Sequence, residues 1–367
     1  MNVLSPDWNR IHNQKTLNCW TLPLAVFSFF YGAGVRARLW RYYAGLLKAK
    51  RLPGFVVSLG NMTAGGTGKT PAVVMLAEWA VQEGWKVAIL TRGYGGRHDH
   101  GVLEVSDGKR VVADALLSGD EPFLLAKRLD GVPVIVANER YKAGMYAHRK
   151  FGSDFFILDD GYQHIRLARD MNFALIDSLN PFGNGHLLPW GPLREPLGQI
   201  KRADACIFTR IGKSGDAVQI PTVVRKEFAT IPCFRADHLP ESVVIPDSGE
   251  SHSPEFLKGK RVVAFAGIGS PESFKETLLG IGAEVVRFFP FRDHYPFSGN
   301  DMDKILRMRE SLNAATIITT EKDWMRISSM DFPRSHMAYL TIRFSVLGDR
   351  SRFFEMIRKS KEKSTVG

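Results

Sequence analysis

From residue 55 onward, short apolar runs alternate with segments whose apolar residues recur at helical spacing. That pattern predicts an α/β domain built on a mostly parallel sheet. The runs 55–59, 87–90, 132–137, 155–158 and 173–176 are the expected strands, and 72–82 (closed by Gly84), 122–129 and 141–150 the expected helices. One hairpin interrupts the series, because 102–105 and 110–112 flank the pair Asp107-Gly108, which favours a tight turn. A stretch rich in Gly and Pro, 181–196, cannot hold a regular element for long and reads as a boundary loop. Beyond it the alternation resumes: strands at 205–209, 261–265, 284–289 and 316–319, helices at 272–279 and 302–312, and an extended region over 222–234. This predicts a second α/β domain. The expected division is 1–50 for an N-terminal helix and basic segment, 51–195 for the first domain and 196–335 for the second. Residues 336–367 are left as a terminal strand and basic helix, with the first domain as a candidate docking surface.

The first strand-to-helix turn carries TAGGTGKTP, residues 63–71, in the position of a phosphate-binding loop. Gly65, Gly66 and Gly68 allow backbone angles that aim successive N–H groups at one anion, and the following helix adds the positive end of its dipole. Lys69 is placed to reach the β- and γ-phosphates, and the Thr70 hydroxyl to hold magnesium. Thr63 stands where the strict pattern has glycine. Thr63, Ala64, Gly65, Gly66, Thr67, Gly68, Lys69 and Thr70 are the expected nucleotide-binding set, and a nucleoside triphosphate the expected ligand.

Charge adds a class of partner. The balance of 49 Lys and Arg against 38 Asp and Glu, +11 overall, suits an anion: nucleotide, nucleic acid or an acidic membrane. Cys19, Cys206 and Cys233 are odd in number and widely spaced, which points away from a disulfide framework or zinc site and towards a reducing compartment. Residues 19–35 contain no charge and are followed by Arg36, Arg38, Arg41, Lys48, Lys50 and Arg51. A membrane anchor or interfacial helix with a cytoplasmic basic flank is the favoured reading, and a buried first helix the alternative.

The remaining chemistry lies in loops. The strand 155–158 leads into Asp159 and Asp160, and carboxylates at that end of a strand, downstream of a phosphate loop, are expected to hold magnesium. Arg92 and Tyr94 follow the strand 87–90 on the same edge as the phosphate loop. In the boundary loop, Arg194 can neutralise a transferring phosphate and Glu195 can complete a metal shell. Asp120 precedes a helix and reads equally well as its N-cap, while His294 sits in a loop where a structural role is the commoner one.

The series TAGGTGKTP, TRGYGG, GDEP, LDDGYQH, PLREP, FAGIGSPESF, RDHYPFS and TTEKD, in that order over residues 63–323, resembles the tetraacyldisaccharide 4'-kinase (lipid A 4'-kinase) family. Thr63 is in keeping with that family's version of the loop. The resemblance implies a P-loop NTPase-like three-layer α/β/α domain, a second, smaller α/β domain, and an N-terminal membrane-associated helix. It implies ATP and Mg2+, a tetraacyl disaccharide 1-phosphate lipid as acceptor, and the anionic cytoplasmic face of the bacterial inner membrane. No nucleic acid and no obligate protein partner are expected. By the same resemblance, Asp120 is the base, oriented by His294 from the other domain. Lys69 and Arg194 attend the transferring phosphoryl group, Thr70, Asp159, Asp160 and Glu195 form the metal shell, and Arg92, Tyr94, Arg140, Gln163 and His164 contribute less. A membrane-attached partitioning ATPase and a nucleic-acid motor are the competing classes. The first would not need an Asp-His pair, and the chain lacks the aromatic-interleaved basic stripe of the second.

Overall fold

The computed structural model describes residues 8–14, 16–19, 21–66, 68–98, 100–211 and 228–366. In chain order the elements begin with α1 (Trp8–Asn13), α2 (Leu22–Tyr43), β1 (Phe55–Asn61), α3 (Lys69–Gln82), β2 (Val87–Thr91) and β3 (Val102–Asp107). There follow α4 (Ala115–Ser118), α5 (Asp120–Arg128), β4 (Pro133–Ala137), α6 (Arg140–Phe151), β5 (Phe155–Asp159), β6 (Met171–Asp177), β7 (Ala205–Thr209), β8 (Cys233–Ile245) and β9 (Glu250–His252). The chain ends with β10 (Arg261–Ala266), α7 (Pro271–Ile281), β11 (Glu284–Pro290), α8 (Gly299–Ser311), β12 (Thr316–Thr320), α9 (Glu321–Ile327), β13 (Met337–Leu347) and α10 (Arg350–Val366).

Two units interleave along the chain. The first comprises Met1–Arg92, Ala137–Asp237 and Ser345–Gly367, and the second Gly93–Val136 and His238–Phe344. This differs from the expected linear division, in which the whole of 51–195 forms one domain. The hairpin around Gly108 and the helix beginning at Asp120 belong to the second unit, a membership no local signal in the sequence carries.

In the first unit β1 lies between β5 and β6, all parallel, with β2 beyond β5 and β7 beyond β6. Every residue of β1, β2, β5, β6 and β7 is buried, as a sheet covered by helices on both faces requires. The register pairs Leu59 with Asp159. The phosphate loop and the acidic end of β5 therefore emerge side by side at the carboxyl edge of the sheet, where open α/β sheets bind ligands. Gly60 is needed here, since a Cβ on it would meet the Tyr162 backbone nitrogen at 2.6 Å. The terminal helix α10 belongs to this unit: Phe354 stacks on Trp79, and Phe353, fully buried, packs against Phe173 and Phe234.

Residues 22–35 of the uncharged segment lie in α2, which runs on into the basic cluster. Its Ser28, Gly32 and Leu39 stripe is buried, Ser28 Oγ donating to the Leu187 carbonyl at 2.8 Å. Gly32 allows the close approach, because a Cβ there would lie 2.7 Å from Leu187 Cδ1. The other side of α2 exposes Leu22, Val26, Phe27, Phe29, Phe30 and Trp40. No described helix is long and apolar enough to cross a membrane.

In the second unit β11, β10, β12 and β13 run parallel, and β9 is antiparallel to the later part of β8. Val263, Phe265, Ile317 and Trp324 on one side, with Val262, Ala264, Leu278 and Ile318 on the other, give the sheet two apolar layers. The expected turn at Asp107-Gly108 is present, with Gly108 at φ +90° and Val112 N–H donating to the Val105 carbonyl at 2.8 Å. The TTEKD segment, for which the sequence offers no chemistry, spans the end of β12 and the first turn of α9. The extended region over 222–234 falls for the most part outside the described residues.

Candidate functional site

β1 hands the chain to the phosphate loop, and α3 begins at Lys69 behind Gly68, whose φ of +76° is left-handed. Gly65, at φ +115°, is also in a backbone region that L side chains avoid. Thr67 lies outside the described residues. The boundary loop is bound to this turn by its backbone: Ala64 N–H donates to the Pro192 carbonyl at 2.7 Å, and Arg194 N–H to the Met62 carbonyl at 2.8 Å. That pairing, rather than any helix or strand, brings Arg194 to the loop.

Asp160 is the meeting point. Its Oδ1 lies 3.5 Å from Lys69 Nζ, and its Oδ2 accepts from Arg194 at 2.7 Å. Burial alone would raise its pKa, but Lys69, Arg194 and then Arg140 bring it down to about 2, so it is ionised. Its backbone sits at φ +50°, a conformation that Asp adopts more readily than most residues and that clusters at functional sites. Lys69 is also held by Asn61 Oδ1 at 3.2 Å, while Gln163 donates to the Asn61 carbonyl at 2.8 Å and lies 3.5 Å from Arg194. Asp159 accepts from the Thr91 hydroxyl at 3.1 Å, and both are buried.

Arg140 is buried beside these carboxylates. Desolvation lowers its pKa to about 10 against the pull of Asp159 and Asp160, with Arg92 adding like charge. His164, half-buried among Arg140, Arg169, Arg38 and Arg166, is driven down to about 3, first by burial and then by those cations, and is neutral at physiological pH.

Thr70, in the first turn of α3, and Asp160 with Asp159 supply hard oxygen donors of the kind magnesium takes, with ionised Asp160 carrying charge for it. Among the described residues no group of three or more His, Cys, Asp or Glu could hold a metal ion on its own. Glu195 does not join Thr70, Asp159 and Asp160. Its buried carboxylate is bound by Arg202, with Arg38 and Arg169 next in its field. Adjacency to Arg194 suggested a shared site, but the two neighbouring side chains go to different partners, and Glu195 loses its geometric support as a metal ligand.

The second group lies wholly within the second unit. Gly119, at φ +91°, takes the cap position of α5, because a Cβ there would meet the Tyr94 carbonyl at 2.6 Å. Asp120 is thus released from capping and its carboxylate goes elsewhere. Oδ2 is 3.3 Å from His294 Nδ1 and accepts from Arg326 Nε at 2.5 Å. Although burial would raise its pKa, the His294 hydrogen bond and Arg326 hold Asp120 below the usual carboxylate value. Placing both members of the pair in one unit corrects the expectation that His294 comes from the other domain. His294 has φ +54°, and Tyr94, largely exposed, approaches its ring edge-on with centroids 5.7 Å apart.

Arg326, Lys322 and Asp323 are site residues that the sequence did not single out by chemistry. Fully buried Asp323 accepts from Thr320 Oγ1 at 2.7 Å and Gly267 N–H at 2.9 Å, and pairs with Arg326 at 2.8 Å. Arg326 also donates to the Gly267 carbonyl at 2.8 Å. The TTEKD segment therefore tethers the guanidinium that grips Asp120. Its signal was the lone Asp-x-x-Arg spacing on one turn of helix, which is uninformative without the fold.

The family model for tetraacyldisaccharide-1-P 4'-kinase (LpxK) matches residues 20–362. The tetraacyldisaccharide 4'-kinase of Syntrophus aciditrophicus is 40% identical over 352 residues, covering 94% of each chain. That of Pelobacter propionicus is 38% identical, covering 93% of this chain and 92% of its own. The crystal structure of LpxK from Aquifex aeolicus in complex with ATP superposes with a TM-score of 0.74 at 31% identity, over 93% of this chain and 98% of that one. A phosphate loop facing an ionised Asp160 and a separate Asp-His pair, on a chain matched over nearly its whole length, make this protein a kinase belonging to the tetraacyldisaccharide 4'-kinase family.

Proposed function

We propose that this chain transfers the γ-phosphoryl group of ATP to the 4'-hydroxyl of a tetraacyl glucosamine disaccharide 1-phosphate, a step of lipid A biosynthesis. The observation that carries the reading is the convergence of Lys69 and Arg194 on Asp160 at the mouth of the phosphate loop. Two cations held there by one carboxylate are pre-positioned for phosphate oxygens, and phosphoryl transfer depends chiefly on positioning and charge neutralisation. Thr70 and Asp160, with Asp159, would hold magnesium, which would add to the neutralisation of the phosphates.

A sugar hydroxyl needs a base as its oxygen bonds to phosphorus. Asp120, held ionised by His294 and Arg326, takes that proton while the bond from the γ-phosphorus to the ADP oxygen breaks. Arg140, Gln163 and neutral His164 shape the nucleotide end, and Tyr94 flanks His294. The exposed apolar side of α2, followed by Arg36, Arg41 and Lys48, is read as an interfacial helix seating the protein on the cytoplasmic face of the inner membrane.

Lys69→Ala tests the nucleotide half. It is expected to lower label transfer from radiolabelled ATP to the disaccharide lipid by about 100-fold or more, as loss of a charged phosphate contact does. Near-normal product on a thin-layer plate would remove the phosphate loop from the reaction.

A further inference from the structure

We propose that Lys322 is a positioning residue for the Asp120–His294 pair: its ammonium donates to His294 Nε2 and thereby puts the imidazole proton on Nδ1, aimed at Asp120. This deepens the reading of Asp120 as base and rests on it.

The neutral imidazole of His294 has two tautomers, and its neighbours choose between them. On one side Nε2 is 3.3 Å from Lys322 Nζ, a group that can only donate. On the other side Nδ1 is 3.3 Å from Asp120 Oδ2, a group that when ionised can only accept, and 3.2 Å from Arg326, which can only donate. With the proton on Nδ1, two charge-assisted hydrogen bonds form, Lys322 to Nε2 and Nδ1 to Asp120. Arg326 then loses one contact but keeps Asp120, the Gly267 carbonyl and Asp323.

With the proton on Nε2, Lys322 and the ring face each other donor to donor, and the bare Nδ1 faces the carboxylate acceptor to acceptor. The Arg326 hydrogen bond survives, and Asp293 Oδ1, at 3.9 Å from Nε2, is too far to accept a hydrogen bond. Two hydrogen bonds to ionised partners outweigh one, and the Nε2–H form has two like-facing contacts against the single one, Arg326 facing Nδ1–H, of the Nδ1–H form.

Lys322 is built to do this. It is largely buried and bridges Glu121 at 3.0 Å and Asp293 at 3.7 Å. These two carboxylates outweigh the burial that would discharge it, so it stays an ammonium. Its charge is thus spent locally, and its contribution to the pair is direction. The consequence for the reaction is a division of labour. His294 donates to Asp120 and cannot receive a proton through Nδ1, so the substrate proton goes to the carboxylate.

The test is the nitrogen spectrum of His294 in the full-length protein with 15N-labelled histidine at pH 8, its signals assigned by their loss in His294→Asn. The expected result is a protonated Nδ1 and a bare Nε2 in the parent protein. In Lys322→Met the Nδ1–H form should fall to half or less, and Lys322→Arg, which keeps a donor, should restore it. Turnover should drop about 10-fold in Lys322→Met with the KM for ATP unchanged. A parent protein carrying the proton on Nε2 or on both nitrogens overturns the proposal without any variant. So does an unchanged Nδ1–H signal in folded Lys322→Met. Because the spectrum needs no catalysis, a failure here leaves the transfer of label to lipid to be judged separately.

Discussion

Asp160 and His164 show how single side chains near the phosphate loop are tuned, and His164 gives a measurable sign. Its folded pKa of about 3 lies below the ordinary histidine value of 6.5. Between those values the unfolded chain binds a proton that the folded protein refuses, so stability must rise with pH across that window and fall as the solution is acidified. The expected slope from this one group approaches about 1.4 kcal/mol per pH unit inside the window. His164→Gln should flatten the urea-unfolding free energy between pH 6.5 and pH 4, and an unchanged slope would mean that His164 charges freely in the folded state. In Asp160 burial alone would raise the pKa, and its cationic partners override it. Its carboxylate, held near 2 by Lys69 and Arg194, contributes stability above pH 4 that is lost on acidification towards pH 2. Neither shift was legible in the sequence, since His164 is depressed first by burial and then by Arg140, Arg169, Arg38 and Arg166, and only the fold buries it and brings Arg140 and Arg38 to it. Lys69, Thr70 and Asp160 were legible, because loop, helix start and strand end each carry a local signal.

Elements differ in the same way. The strands of the first unit coincide with the apolar runs to within two residues at each end, because a strand buried on both faces is mostly hydrophobic. The boundary loop was legible as irregular, but its backbone pairing with residues 62–64 was not, and that pairing is what delivers Arg194. For α2 the reading proposed above is an interfacial helix. Its buried stripe is narrow, Ser28, Gly32 and Leu39, while three phenylalanines, Phe27, Phe29 and Phe30, are each about two-thirds exposed. Replacing those three with serine should weaken sedimentation with anionic vesicles by at least about 10-fold, given about 1.5–3 kcal/mol per fully buried phenylalanine. Nucleotide binding should be unaffected, because Lys69 and Asp160 do not rely on that side of the helix. Unchanged sedimentation would return the exposed aromatics to some other role.

For the protein taken together, what the linear order of motifs conceals is the interleaving of the two units. GDEP precedes the aspartate pair in sequence and by position belongs with the phosphate-loop domain, yet Gly93–Val136 folds with the second unit, beside His294 and Arg326. The nucleotide group and the base are therefore separate constructions, each internally braced: Lys69 and Arg194 around Asp160, and His294 and Arg326 around Asp120. A protein that only hydrolysed ATP would have no use for the second. The most direct test counts, in one reaction, the ATP consumed and the phosphate recovered on the tetraacyl disaccharide 1-phosphate, for the parent protein and for Asp120→Asn. The parent should give one phosphate on the lipid per ATP, and Asp120→Asn should lose lipid phosphorylation by about 100-fold or more while still binding nucleotide. ATP turnover that proceeds at the same rate without the lipid, and that Asp120→Asn leaves intact, would mean that Asp120 is no base and that this chain spends ATP on something else.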